Sequence, residues 1–316
     1  MQKFIVSNQE SGQTLEKFVR KVLKDAPLSV IYKLFRKKDV KVNGHWQDTK
    51  YVISNGEEIT IFIKDEQYDE FKKKQVVVSS NKIKSWIIYE DENVLLINKP
   101  RGVLVQKNTK DDEALDDMVI SYLTEKKEYD GLGAYVPAPA HRLDRNTAGI
   151  IIFGKNLQTL QYLSKIIPDK NRIIKKYITL VKGHIDEEGE ITLPLTKKQT
   201  HVEVDFQNGK EAITKYRLIK YIGDYSLVEV ELLTGRTHQI RVHLSKIGYP
   251  VIGDTKYGDF KLNNEIENKY HFKNQFLVSY YLEFNNVDGP LKKLNKKSFK
   301  IELPNDLITL LIELDK

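Results

Sequence analysis

A carboxylate flanked by two arginines stands in Ala140-His141-Arg142-Leu143-Asp144-Arg145-Asn146-Thr147-Ala148-Gly149, a polar stretch that runs into the strand-like Ile150-Ile151-Ile152-Phe153. Loops carried on a rigid scaffold are where reacting groups usually sit. Neighbouring positive charge favours the ionised form of a carboxylic acid, so Asp144 is expected to be charged at neutral pH. A charged, loop-borne carboxylate suits a nucleophile or a general base better than a general acid. A purely structural Asp–Arg pair would leave the same local pattern. The arginine usage favours chemistry. Only nine of the 51 Lys+Arg residues are Arg, and four of these, Arg142, Arg145, Arg236 and Arg241, fall in this stretch and in Thr234-Gly235-Arg236-Thr237-His238-Gln239-Ile240-Arg241-Val242-His243-Leu244. Lys cannot replace Arg where a planar, bidentate or stacking contact is required, so the two stretches read as one site assembled from distant parts of the chain.

The elements that must position these residues are legible from periodicity. Trp86-Ile87-Ile88-Tyr89 and Val94-Leu95-Leu96-Ile97, across the turn Glu90-Asp91-Glu92-Asn93, read as paired strands. In Lys175-Lys176-Tyr177-Ile178-Thr179-Leu180-Val181, strand alternation puts Tyr177, Thr179 and Val181 on one face and Ile178 and Leu180 on the other. Ala212–Tyr216 and Leu227–Leu232 are further strands. After Thr234-Gly235 the chain turns into a helix that can bury Ile240, Leu244 and Ile247 and end near Gly248, with Arg241 one turn from Leu244. Leu157, Leu160 and Ile167 mark a helix capped by Asn156 and stopped by Pro168, and Leu307, Leu310, Leu311 and Leu314 mark a closing one. Leu115, Met118, Val119 and Tyr122 give another, behind the candidate caps Asp111 and Asp112.

At the N-terminal end, Leu15, Phe18, Val19, Val22 and Leu23 repeat at helical spacing behind a possible Thr14 cap. A second helix from about Pro27 buries Val30, Ile31, Leu34 and Phe35 and carries Lys33, Arg36, Lys37 and Lys38 on its other side. Val40-Lys41-Val42 leads into Asn43-Gly44, a strong tight-turn signal, and Ile59–Ile63 alternates as a half-buried strand. Residues 65–84 are charged and polar and read as a linker, with Val76-Val77-Val78 as a short strand at most.

His141–Gly149 and Thr234–His243, in this order, resemble the signature motifs of the RluA family of RNA pseudouridine synthases. The likeness runs from Gly12 to about Gly258, with Ala148 where Ser is usual and Gln106 where His is common. Lys99-Pro100-Arg101-Gly102 matches the family's Lys-Pro-x-Gly element, here read as mainly structural, and Tyr177 matches the Tyr of a Lys/Gln-x-Tyr strand. The resemblance implies an α+β fold: a catalytic domain over 85–316 with a mixed, mainly antiparallel sheet and flanking helices, and a small N-terminal α/β domain over 1–64. That module resembles an S-four-type RNA-binding domain, with Lys33, Arg36, Lys37 and Lys38 as its candidate RNA contacts. It also implies the catalytic set Asp144, Tyr177 and Arg241, with Arg142 contacting RNA, and a reaction needing no metal and no cofactor. Similarity to the RluC and RluD type points to large-subunit ribosomal RNA as substrate. A transfer-RNA synthase of the same family and a non-catalytic RNA-binding or ribosome-assembly factor are the alternatives.

Composition agrees with these expectations. The chain has 316 residues, no Cys and a net charge of +7, which removes thiolate chemistry, disulfides and Cys-ligated zinc. Residues 1–64 carry +5 of that charge, as a nucleic-acid-binding module would. No phosphate-loop, dinucleotide or nucleophile-elbow motif occurs; His238 and His243 lack metal-ligand spacing and are expected to orient the arginine loop or cap the helix. With no membrane-length apolar run and no leader-like N-terminus, the expected setting is the cytoplasm and the expected state a monomer.

Overall fold

The computed structural model describes residues 1–7, 10–72, 81–109, 112–129 and 135–316. The Val76-Val77-Val78 strand and the Asp111 cap expected above lie outside these residues. The chain forms two compact units: Met1–Ser85 with Asp116–Ala138 and Phe153–Gln161, and Trp86–Leu115 with Pro139–Ile152 and Tyr162–Lys316. Among the described residues no helix is long and apolar enough to cross a membrane.

In the first unit, helix α1 (Leu15–Val22) begins where the Thr14 side chain accepts from the Lys17 N–H, satisfying one of the orphan donors at a helix start. It buries Leu15, Phe18, Val19 and Val22, while α2 (Leu28–Arg36) buries Ile31, Leu34 and Phe35. Val30 is only half-buried. The strands β1 (Gln2–Ile5), β2 (Val40–Val42), β3 (His45–Trp46) and β4 (Glu58–Ile61) form a sheet in the order β1-β4-β2-β3. The β2–β3 turn is Asn43-Gly44, with φ of 49° and 81°, the left-handed pair a two-residue hairpin requires. Strand β1 goes unpredicted by sequence patterning, because only Phe4 of its four residues is buried; its place comes from antiparallel pairing with β4. Within the stretch expected as linker, Asp65–Phe71 and Asn81–Lys84 are helical, and Tyr68 and Phe71 pack on this core.

The second unit is organised by a ten-stranded sheet among the described residues. Its main strands are β5 (Ile87–Glu90), β6 (Val94–Lys99), β7 (Ala148–Gly154), β8 (Ile173–Lys182), β9 (Glu188–Thr192), β10 (Ile213–Ile222), β11 (Tyr225–Leu232) and β12 (Leu277–Phe284). They lie in the order β9-β10-β11-β8-β12-β7-β6-β5. The registers between β9, β10, β11, β8 and β12 are antiparallel, and β12 pairs with β7 in parallel. This is the mixed, mainly antiparallel α+β fold expected. Strand alternation in β8 also matches: Tyr177 and Val181 enter one core with Ile240 and Leu244, whereas Ile178 and Leu180 enter another with Phe276 and Leu307. The helices expected over 157–167 and at the C-terminus span Leu157–Ile166 and Asn305–Leu314, and Asn156 caps the first by accepting from the Thr159 N–H.

The parallel β7–β12 contact depends on one glycine. Gly149 has φ +124°, and a Cβ there would lie 2.2 Å from the Ser279 carbonyl oxygen. Both the left-handed backbone and the close approach exclude a side chain. Gly149→Ala is therefore expected to cost about 3 kcal/mol or more of stability, read as a lower urea midpoint at unchanged slope. A wild-type midpoint would show that the strands do not meet this closely.

Candidate active site

The 141–147 loop is stapled before its carboxylate meets anything. Thr147 N–H donates to the Asp144 carbonyl at 3.1 Å, closing a tight turn. Gly102 N–H donates to the Arg145 carbonyl at 2.9 Å, and Arg145 Nε donates back to the Gly102 carbonyl at 3.1 Å. Gln275 Nε2 holds the buried Thr147 hydroxyl at 2.6 Å, and Leu143 packs into the core beside Tyr177 and Ile240. Lys99 is wholly buried, and its Nζ donates to the carbonyls of Pro100, Val103 and Arg145 at 3.0, 2.8 and 3.0 Å. Three acceptors match the three protons of an ammonium group. Burial pulls the Lys99 pKa down to about 7, and the charge of Asp144 opposes that shift. The Lys-Pro element is thus a clamp on the loop, in keeping with its structural reading.

The carboxylate so presented pairs with a distant arginine. Arg241 Nη1 donates to Asp144 Oδ2 at 2.8 Å across 97 residues of sequence. The same guanidinium binds Asp254 in bidentate fashion, Nε to Oδ2 at 2.7 Å and Nη2 to Oδ1 at 2.8 Å. Asp254 is fully buried, and its Oδ1 also accepts from the Lys256 and Tyr257 N–H groups at 2.9 and 3.0 Å. Burial works against both charges, but their mutual hydrogen bonds and attraction win: the Arg241 pKa rises and the Asp254 pKa falls. Arg241 is held by the fully buried partner and lends one donor to Asp144, which keeps 27% of its side chain exposed.

The arginines adjacent to Asp144 in sequence do not pair with it. Arg145 points to Gly102, and the exposed Arg142 side chain makes no ion pair among the described residues. Sequence neighbours leave a tight turn in different directions, so the partner of Asp144 comes from the 239–246 helix. Arg236 donates to the Glu211 carbonyl at 2.9 Å and braces the second loop. Gln239 staples that loop to β10, accepting from Thr234 and Arg236 and donating to the Ile213 carbonyl and the Thr214 hydroxyl. His243 is buried between Thr214 Oγ1 and the Leu193 carbonyl, each at 2.9 Å, and burial lowers its pKa; it is a structural neutral imidazole.

Tyr177 completes the constellation. It is buried in β8, hydrogen-bonded to Ser279, and burial together with the nearby Asp144 charge pushes its pKa up to about 12. Its ring is an apolar wall with a hydroxyl that stays protonated across the neutral range. The geometry joins a clamped carboxylate whose Oδ1 accepts no hydrogen bond among the described residues, an arginine fixing its Oδ2, and an aromatic ring within reach of its charge. Such a site can attack an electrophilic carbon or take a proton from one.

Residues 93–246 match the family described as RNA pseudouridylate synthase. A protein of Mycoplasma capricolum named as an uncharacterized RNA pseudouridine synthase is 33% identical over 315 residues, covering 94% of this chain and 96% of its own. The chain belongs to the RluA family of RNA pseudouridine synthases. It is accordingly an isomerase acting on RNA. The ribosomal large subunit pseudouridine synthase C of Vibrio cholerae is 31% identical over 80% of this chain and 79% of its own. In fold, the solved human RNA pseudouridylate synthase domain containing 4 superposes with a TM-score of 0.61 at 21% identity, covering 74% of this chain and 95% of that one.

Of the three residues of this synthase singled out by motif, Asp144 and Arg241 are in contact, and Tyr177 lies within electrostatic reach of Asp144. Asp254, Tyr257 and Ser279 were given no role by the sequence. Asp254 follows Gly253 in the run Gly248–Gly258, and its partner Arg241 lies 13 residues away. A lone buried Asp carries no spacing signal; its one cue was that buried arginines require a carboxylate.

Proposed function

We propose that this synthase converts uridines of large-subunit ribosomal RNA to pseudouridine, with Asp144 acting at the ribose of a flipped nucleotide. The observation that carries the reading is the carboxylate held by Arg241 at 2.8 Å through Oδ2, while its Oδ1 accepts no hydrogen bond among the described residues and its charge reaches the buried Tyr177. A stacked uridine must leave the helix, at a cost of a few kcal/mol. Arg142, exposed on the loop and without an ion pair among the described residues, fills the vacated stack with its flat guanidinium. Tyr177 packs against the base. Asp144 Oδ1 bonds to C1′ as the N1–C1′ bond breaks, or takes a proton from the ribose beside C1′; C5 then bonds to C1′ as the Asp144 ester bond breaks, or as that proton is returned. The C5 proton leaves to a water beside the protonated Tyr177 hydroxyl, and N1 regains a proton. Arg241 aims Asp144 throughout.

We assign residues 1–64 to RNA anchoring and 85–316 to the reaction. Lys33, Arg36, Lys37 and Lys38 are all exposed. Lys38 Nζ stands 5.4 Å from the centre of the 45%-exposed Trp46 ring, and Lys41 Nζ 5.2 Å from that of the 42%-exposed Phe62. Cations beside exposed aromatic faces suit phosphate and base together. The ribosomal target is favoured by the named Vibrio relative, and in this reading the protein acts on RNA in the cytoplasm as a monomer without cofactor.

The test is tritium release from C5-labelled uridine in large-subunit ribosomal RNA against a transfer-RNA mixture. Release from the ribosomal transcript alone is expected; release from transfer RNA alone would overturn the substrate assignment. Replacing Lys33, Arg36 and Lys37 together by Gln should raise KM about tenfold and flatten the dependence of log affinity on log salt by about 0.7 per lost phosphate contact. An unchanged salt slope would remove this face as the anchor.

A further inference from the structure

His238 has a conformation that the roles above do not account for. Its φ is +53°, at the point where the 234–238 turn becomes the 239–246 helix, and a residue with a Cβ is uncommon there. The backbone delivers the ring between two partners. The Tyr257 hydroxyl accepts from the Val202 N–H at 2.9 Å and lies 2.8 Å from His238 Nδ1. Among the described residues Nδ1 is the acceptor left for the hydroxyl proton. This partner set favours Nδ1 as the unprotonated nitrogen, with the ring proton on Nε2. Nε2 stands 3.9 Å from Asp144 Oδ1, the oxygen that Arg241 does not touch.

We propose that Tyr257 and His238 form a relay that positions Asp144. The Tyr257 hydroxyl locks the imidazole as its Nε2–H tautomer, and that N–H holds Asp144 Oδ1 toward the ribose once substrate closes the site. The assignment rests on Asp144 being the reacting carboxylate. A movement of about 1 Å turns the 3.9 Å separation into a hydrogen bond. With Arg241 on Oδ2 and His238 on Oδ1, both oxygens are set, and rotation of the carboxylate about its own axis stops.

The surroundings keep the imidazole neutral, as tautomer control demands. Burial lowers its pKa, Arg241 and Lys256 act in the same direction, and Asp144 and Asp254 oppose them. Tyr257 also lies under the Arg241 guanidinium, 5.1 Å from its carbon. A Tyr257 that served only Arg241 would act independently of His238, so the coupling between the two residues separates the possibilities.

The test compares Tyr257→Phe, His238→Asn and the double variant in tritium release, with Asp144→Ala alongside. Asn tolerates the left-handed backbone, so His238→Asn removes the ring without straining the turn. Each single variant is expected to lower kcat about 10- to 100-fold with KM for RNA within about twofold, and the double variant to be no slower than His238→Asn alone. Strictly multiplicative effects, losses confined to KM, or wild-type kcat in folded singles would overturn the relay. Nitrogen NMR of 15N-histidine gives a readout apart from turnover: His238 should be the Nε2–H tautomer at pH 7 in wild type and in Asp144→Ala, and a mixture in Tyr257→Phe. An Nδ1–H tautomer in wild type would also overturn it. If Asp144→Ala keeps turnover, the reading of Asp144 fails and the relay with it. If Asp144→Ala is inactive while both single variants run at the wild-type rate, the relay alone fails.

Discussion

Asp144→Asn is expected to release no measurable tritium from ribosomal RNA, a loss of at least about 1,000-fold in kcat, while binding the same RNA with wild-type affinity. The amide keeps the shape of the carboxylate but is a poor nucleophile and a poor base. The fold should survive. Arg241 keeps both hydrogen bonds to Asp254, so no buried charge is orphaned, and Asp144 is partly exposed. Removing one partly exposed charge of this kind costs about 1 kcal/mol or less. Retained turnover in a folded Asp144→Asn protein would remove Asp144 from the chemistry. Tight binding without turnover in the wild type would instead place the substrate in a pre-ribosomal particle.

Arg241→Met should have the larger structural effect. It strips the fully buried Asp254 carboxylate of its bidentate partner, leaving two backbone N–H groups to hold it. Breaking a buried pair by removing one member typically costs about 3–5 kcal/mol, so a fall of that size in chemical denaturation is expected, together with loss of turnover because Asp144 also loses its clamp. The pH dependence gives a sharper test. In the wild type Asp254 has a lowered pKa, so its contribution is present above the unfolded carboxylate value of about 4 and is lost as pH falls through the folded value. In Arg241→Met the remaining burial raises the pKa. The folded state then binds its proton more readily than the unfolded chain, and the variant should gain stability as pH drops from 7 toward 5. A variant that weakens toward pH 5 would show that Asp254 is not charged and buried as described.

Much of the site could be read in the residues themselves, because each motif is local. The signature loop announced itself by a polar run entering a β-branched strand. Tyr177 is singled out only by the motif resemblance; period-two alternation sets which face of β8 it takes, and the cores on the two faces agree. The 239–246 helix followed from Ile240 and Leu244 at helical spacing, and both are buried. Strand β1 was missed, since four residues with one buried position carry too little pattern for any period to show.

Most elements and the residues they carry are legible in the chain alone, because helix and strand periods, turn residues and caps act over a few positions; β1 and the two helices within 65–84 are not. The sequence also pointed to Arg usage as the mark of a site drawn from two loops. The tertiary structure alone decided who pairs with whom. Asp144 sits between Arg142 and Arg145, yet its partner is Arg241, supplied from 97 residues away. Asp254, Tyr257 and Ser279 acquire their roles only where the sheet brings their segments beside β8 and the 239–246 helix. Adjacent side chains on a tight turn diverge, whereas a buried charge must find its counter-charge wherever packing places one. Partner choice is therefore a property of the assembled core, and no local spacing encodes it.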